Sequence, residues 1–239
     1  VYGGNKAGNR YSPLNKINTG NVAELEVAWM YNAAEQPDPA NPNQSAKAIQ
    51  CQPIVVNGIL YGTTPELKLF ALNAATGKEI WKFSPNVNNQ RFNTSRGVMY
   101  WENGSDKRIL YTMGSSLFAV NTKTGKIVES FGKNGVVDLH EGLSQGLDTE
   151  VNSLSVSATT PGVIHKNTLV IGSSVSEGGD AAPGYIRAFD VITGRLKWVF
   201  HTIPHPGEFG YDTWPKDAYK KIGGVNSWSG IVLDEARGV

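Results

Sequence analysis

The runs after Gly77, Gly125 and Gly194 mix apolar and polar residues within six positions and are read as half-buried strands. Each such run closes a longer unit. The copies are Ala71-Leu-Asn-Ala-Ala-Thr-Gly-Lys-Glu-Ile-Trp-Lys-Phe83, Ala119-Val-Asn-Thr-Lys-Thr-Gly-Lys-Ile-Val-Glu-Ser-Phe131 and Ala188-Phe-Asp-Val-Ile-Thr-Gly-Arg-Leu-Lys-Trp-Val-Phe200. Each reads as a strand end, an Asn or Asp, a turn closed by Thr-Gly, a basic residue and a second strand ending in an aromatic. Asn73, Asn121 and Asp190 can bond their own backbone two residues on and so start the turn. The glycines supply the positive φ of a tight hairpin. Trp81 and Trp198 are too broad for one hairpin to cover, so each needs a neighbouring sheet. Three copies predict a repeat protein, and the first spacing, about 48 residues, fits one four-stranded blade per repeat.

The remaining runs fill in the blades. Residues 1–20 are turn-rich and polar, and 21–29 predict a short helical turn running into a strand, with Trp29 in the role of Trp81. Residues 32–48 are Pro, Asn, Gln and Ala, a surface loop. Residues 53–64 predict a hairpin around Asn57-Gly58. With 67–72 and the Trp81 strand it makes a first blade. Residues 98–101, 109–112, 116–120 and 126–131 predict a second, and 132–154 an insertion. The hairpin 162–172 with 185–189 and 196–200 predicts a third. A loop, 201–224, carries His205-Pro-Gly-Glu208, and 227–234 opens a fourth blade. The fold class expected is all-β: four-stranded antiparallel blades of a β-propeller, with residues 1–239 forming one partial domain of three to four blades. Blades bury their flanks against one another and the ring must close. This arc therefore needs either the remaining blades or a second copy of itself. The abrupt start at Val1 and the unfinished hairpin at 235–239 lead us to expect a piece of a longer chain.

Charge and cysteine content change little in this picture. There are 22 basic and 21 acidic side chains, a balance that argues against nucleic acid or an anionic membrane as partner. Cys51 is the one cysteine, so there is no internal disulfide framework. No apolar run approaches a membrane helix.

The Ala-x-Asp/Asn-x-x-Thr-Gly-Lys-x-x-Trp unit resembles the blade signature of quinoprotein dehydrogenases, eight-bladed propellers that hold pyrroloquinoline quinone (PQQ) and calcium on the central axis. Four other stretches resemble the family in the same order: Asn5 to Leu14 followed by Ile17-Asn, Ser95-Arg-Gly-Val-Met-Tyr-Trp101, Ile171-Gly-Ser-Ser-Val-Ser-Glu177 and Asn226-Ser-Trp-Ser-Gly230. The first two, with Phe131-Gly-Lys-Asn-Gly-Val-Val-Asp-Leu139, are most similar to the glucose dehydrogenase branch. On this resemblance the chain is about half of an eight-bladed propeller. The implied reaction oxidises a C–OH group of a glucose-like aldose, with an alcohol as the alternative substrate. Electrons would pass to a quinone or a c-type cytochrome, and the compartment implied is the periplasm. A non-enzymatic scaffold propeller is the reading from another class.

PQQ is a planar tricarboxylate carrying an ortho-quinone, so its holder needs cations, hydroxyl donors, a flat apolar wall and a Lewis acid. Arg96 is the cation whose planar fork suits the quinone oxygens; from the residues alone it is equally a surface Arg at a strand start. Glu177 is the calcium candidate, a hard carboxylate ligand, although a lone Glu on a loop is ordinarily solvated. Ser173, Ser174 and either Thr159 or Thr160 offer hydroxyls to the cofactor carboxylates. Trp228 is the flat partner for the ring, or else another blade-docking Trp. Gln50 stands where alcohol-oxidising members carry a Glu against the cofactor. Gln90 and Arg91 stand where the methanol-oxidising branch has two adjacent cysteines. The resemblance puts the catalytic base beyond Val239, so no catalytic residue is assigned within this chain and it is expected to be inactive alone.

Overall fold

The computed structural model describes residues 3–33, 48–85, 94–145, 147 and 150–239. Along it run three four-stranded antiparallel sheets, each in up-and-down order. The first contains β1 (Ile54–Val56), β2 (Ile59–Thr63), β3 (Leu69–Asn73) and β4 (Glu79–Phe83). The second contains β5 (Met99–Asn103), β6 (Asp106–Met113), β7 (Ser116–Asn121) and β8 (Val136–Asp138). A two-residue strand, β9 (Val156–Ser157), precedes the third sheet, formed by β10 (Val163–His165), β11 (Thr168–Ile171), β13 (Ile186–Asp190) and β14 (Leu196–Phe200). Between β11 and β13, β12 (Ser174–Val175) pairs with β9. Helix is confined to single turns such as Val22–Glu24 and Ala218–Lys221. Successive four-stranded meanders packed face to face are the blades of a β-propeller.

The turn chemistry operates as the residues require. Asn73 Oδ1 accepts the N–H groups of Ala75 and Thr76, Asn121 Oδ1 those of Lys123 and Thr124, and Asp190 Oδ1 those of Ile192 and Thr193. The tryptophans link each blade to the next turn. Trp29 Nε1 donates to Ala74 O at 3.2 Å and Trp81 Nε1 to Thr122 O at 2.8 Å. A Cβ on Gly77 would meet the Trp29 ring at 2.5 Å, and one on Gly125 the Trp81 ring at 2.7 Å. The glycine of the repeat thus serves twice, supplying the positive φ and leaving room for an indole. Trp29 takes the part expected of it, although no strand is assigned around it among the described residues.

The second blade departs from expectation. Residues 126–131 are not its outer strand. Ile127 makes only an isolated bridge to Val120, and the pairing resumes at β8, inside the supposed insertion. In this copy Glu129 replaces the docking Trp. The chain instead turns Phe131 inward, fully buried, and Gly132 N–H donates to Thr193 O at 2.8 Å. A backbone bond and a buried Phe thus take over the link to the third blade. Residues 227–234 form no sheet strand; Leu233 N–H donates to Lys6 O at 2.9 Å, and a turn follows in which Asp234 Oδ1 accepts from Ala236 and Arg237.

The core lies between blades. Ile54, Leu69, Val98, Ile109 and Phe118 fill the first interface; Leu117, Phe131, Leu139, Leu169 and Phe189 belong to the second. Because antiparallel strands alternate in direction, the first strand of every sheet starts, and the second and fourth end, at one common edge. At that edge the lead-ins to successive blades are bonded together. Gln52 N–H donates to Arg96 O at 3.0 Å, and Arg96 N–H to Thr159 O at 2.8 Å.

Candidate cofactor site

The common edge gathers most of the residues singled out from the sequence. Arg96 stands just before β5, and Thr159 and Thr160 just before β10. The Arg96 Nη1 donates to Thr159 Oγ1 at 2.6 Å, and its guanidinium lies 5.5 Å from the centre of the Trp228 ring. Thr160 Oγ1 donates to Trp228 O at 2.7 Å, so the two threonines divide the work: one holds the cation, the other the backbone of the aromatic. Trp228 is 57% exposed, so its ring is open to contact along this edge.

Gln50 and Arg96 share an open hollow of about 310 Å³ with Arg10, Cys51 and Gln52. Its described lining offers two cations and two amides, donors of the kind that a planar tricarboxylate requires. Cys51 is half-buried there rather than sealed in the core, its Sγ accepting the Thr63 N–H at 3.3 Å; burial pushes its thiol above the ordinary value.

Ser173 and Ser174 reach this region through β12, whose pairing sets Ser174 against Ser157, two residues before Thr159. Gly172 lets the 226–228 segment approach, since a Cβ there would run into the Ser227 carbonyl, and Asn226 Nδ2 donates to Ser173 O at 2.9 Å. The two serines are not equivalent. Ser173 is 1% exposed and accepts a hydrogen bond from Arg187 Nη2 at 2.8 Å, whereas Ser174 is half-buried. Of the pair, Ser174 has the access that a ligand contact needs, and Ser173 is a supporting residue.

Glu177 is exposed on the bend after β12. Among the described residues no three His, Cys, Asp or Glu groups gather where a metal could be held. Gln90 and Arg91 lie outside the described residues.

Three contributors escaped the sequence reading. Arg10 and Asn226 sit inside quoted motifs with nothing in their spacing to mark them. Arg187 had a signal: it occupies the place of Phe70 and Phe118 in the repeat, a charge where two copies have an aromatic.

This geometry agrees with what the chain is similar to. All of residues 1–239 match the PQQ family of glucose/ethanol/alcohol dehydrogenase β-propeller domains. The quinoprotein glucose dehydrogenase of Escherichia coli is 33% identical over 98% of this chain and 30% of its own length. The dehydrogenase subunit of the alcohol dehydrogenase (quinone) of Gluconobacter oxydans is 34% identical, again over 98% of this chain and 30% of its own. Among solved structures, a quinohemoprotein alcohol dehydrogenase of Pseudomonas putida superposes with a TM-score of 0.73 at 27% identity, over 98% of this chain and 32% of that one. The chain spans about 30% of the length of the curated relatives it matches. With its blades, its repeat and a family match along residues 1–239 in agreement, the chain belongs to the PQQ-dependent dehydrogenase β-propeller family.

Proposed function

We propose that this chain supplies one side of the cofactor cradle of a periplasmic, PQQ- and calcium-dependent dehydrogenase that oxidises a C–OH group of a glucose-like sugar and passes electrons to a quinone or a c-type cytochrome. The observation that carries the reading is the placement of Arg96, bonded to Thr159, set over Trp228 and opening on a hollow that Arg10 and the amides of Gln50 and Gln52 also line. When bound, PQQ supplies a hydride-accepting quinone, and calcium a Lewis acid beside it. This chain's own residues bind and orient. Arg96 offers a planar fork of donors, Thr159 holds that fork in place, Trp228 offers a flat face, and Ser174 and Gln50 offer donors to carboxylates. Glu177 is the calcium carboxylate in this reading. The sugar is favoured by the similarity of residues 5–14, 95–101 and 131–139 to the glucose-oxidising branch.

The test is a titration of PQQ into the whole protein, with calcium and with chelator, followed by quenching of Trp fluorescence. Calcium-dependent quenching that is lost in Trp228→Ala and in Glu177→Ala is the expected result. No binding at any calcium concentration would sink the reading. Turnover of aldoses against primary alcohols by the same reconstituted protein then separates the two substrate classes.

A further inference from the structure

Arg187 is the most deeply buried charge among the described residues, with no exposed surface at all. Its position belongs to an aromatic in the other two copies of the repeat, where Phe70 and Phe118 are buried core residues. An apolar side chain would fill that place at far lower cost, because taking a charge out of water costs several kcal/mol unless it is well compensated. The compensation here is incomplete. Nη1 donates to Leu139 O and, at 3.5 Å, to Glu141 O, while Nη2 donates to Ser173 Oγ. Nε has no hydrogen-bond partner, and no carboxylate among the described residues forms an ion pair with it. Burial pulls the guanidinium down to about 10, against an opposing pull from Asp138 and Glu141, so it stays charged at neutral pH.

What the charge holds is the wall of the candidate site. Ser173 accepts from Arg187, so the Ser173 oxygen is committed as an acceptor. The Ser173 carbonyl is held by Asn226, which leads to Trp228. The next residue, Ser174, is paired to the strand that leads to Thr159. We infer that Arg187 is a positioning residue for the anionic cofactor: through Ser173 it fixes the Ser174 and Trp228 segments against each other and places a buried positive charge behind the wall that meets the cofactor's carboxylates. This rests on the function proposed above.

The experiment uses the whole protein and measures PQQ affinity by Trp quenching, with a thermal melt for each variant. Arg187→Met removes the charge and keeps an apolar filler. Arg187→Lys keeps the charge without the fork. Ser173→Ala keeps the cation and removes its bond. The expected result is an affinity loss of about tenfold or more in Arg187→Met, partial recovery in Arg187→Lys, and a loss in Ser173→Ala that does not add to that of Arg187→Met in the double variant. A filler role predicts the reverse order, with Met serving as well as or better than Lys. Affinity in Arg187→Met equal to the wild type, or above that of Arg187→Lys, would overturn the inference. If Arg187→Met does not fold, Ser173→Ala decides, and wild-type affinity there overturns it equally. A wild type that fails to bind PQQ removes the functional reading and this inference together, and it does so before any variant is made.

Discussion

Arg96 and Thr159, 63 residues apart in sequence, are joined twice: guanidinium to hydroxyl at 2.6 Å and N–H to carbonyl at 2.8 Å. The pair ties the lead-in of the second blade to that of the third and aims a cation along the shared edge. Thr159→Val keeps the shape and removes the hydroxyl acceptor. PQQ affinity of the whole protein should fall by about tenfold, in line with about 1.5 kcal/mol for a hydrogen bond to a charged group, with little change in the thermal melt. The same titration on Thr160→Val should show a smaller loss, because that hydroxyl bonds the Trp228 backbone; the opposite order would exchange the two roles.

The docking of Trp81 on Gly125 predicts a stability effect. Gly125→Ala adds a Cβ 2.7 Å from the indole at a residue with φ of +66°. Left-handed strain of about 1–2 kcal/mol and overpacking of about 1–3 kcal/mol should together lower unfolding stability by about 2–5 kcal/mol. Denaturant unfolding measures it, and a change within the error of the fit would mean that the ring moves aside freely.

Trp81→Phe keeps an aromatic against the turn but leaves the Thr122 carbonyl without the indole N–H and gives up the part of the packing that the larger ring supplies. The hydrogen bond and the lost ring volume should together cost about 1–3 kcal/mol, read from the same unfolding curves.

The loop after β14 should respond to acid. His201 and His205 stack at 3.8 Å between ring centres, with Tyr185 and Tyr219 against them. Tyr185 Oη lies 2.8 Å from His205 Nε2, and Glu208 Oε1 lies 2.7 Å from His201 Nδ1. Burial, then the neighbouring His201, lowers the His205 value, while Glu208 opposes. The folded chain therefore resists a proton that the unfolded chain takes up. This contribution to stability is present above the ordinary histidine value of about 6.5 and is lost as pH falls below it. Glu208 acts in the same direction further into acid. Burial would raise its carboxyl, but the His205 N–H and the His201 ring outweigh that and hold it below its usual range. The protection factors of amides across residues 201–224 should be high at neutral pH and fall as the pH drops below the ordinary histidine value of about 6.5. Exchange that does not depend on pH, after correction for intrinsic rates, would refute this.

Trp198 occupies the docking position of the third blade with no turn beneath it among the described residues, and it is 44% exposed, with Phe200 beside it at 60%. These 239 residues expressed alone should self-associate through that flank, and sedimentation should show a concentration-dependent mass. A monodisperse, cooperatively folding monomer would contradict the need for further blades or a second copy.

What the sequence determined was local. An Asx turn, a positive-φ glycine and a half-buried strand are settled within about a dozen residues, so the three repeats, the Asn57-Gly58 hairpin and the all-β class were readable at once. The role of Trp29 was also readable, because a broad ring beside a Thr-Gly turn has few places to go. The outer strand of the second blade was decided by tertiary contact. With Glu129 in place of Trp, pairing along 126–131 offered too little burial, and Phe131 was drawn into the space beside the third blade, which moved the strand to Val136–Asp138. The site followed the same division. The sequence supplied Arg96, Thr159, Thr160 and Trp228 as separate chemical candidates. Only the closing of blades against one another brought them to one edge, because contacts across some 60 residues depend on how whole sheets pack. The same packing sealed Ser173 against Arg187 and left Ser174 half-exposed, a distinction that two adjacent serines in a chain do not carry.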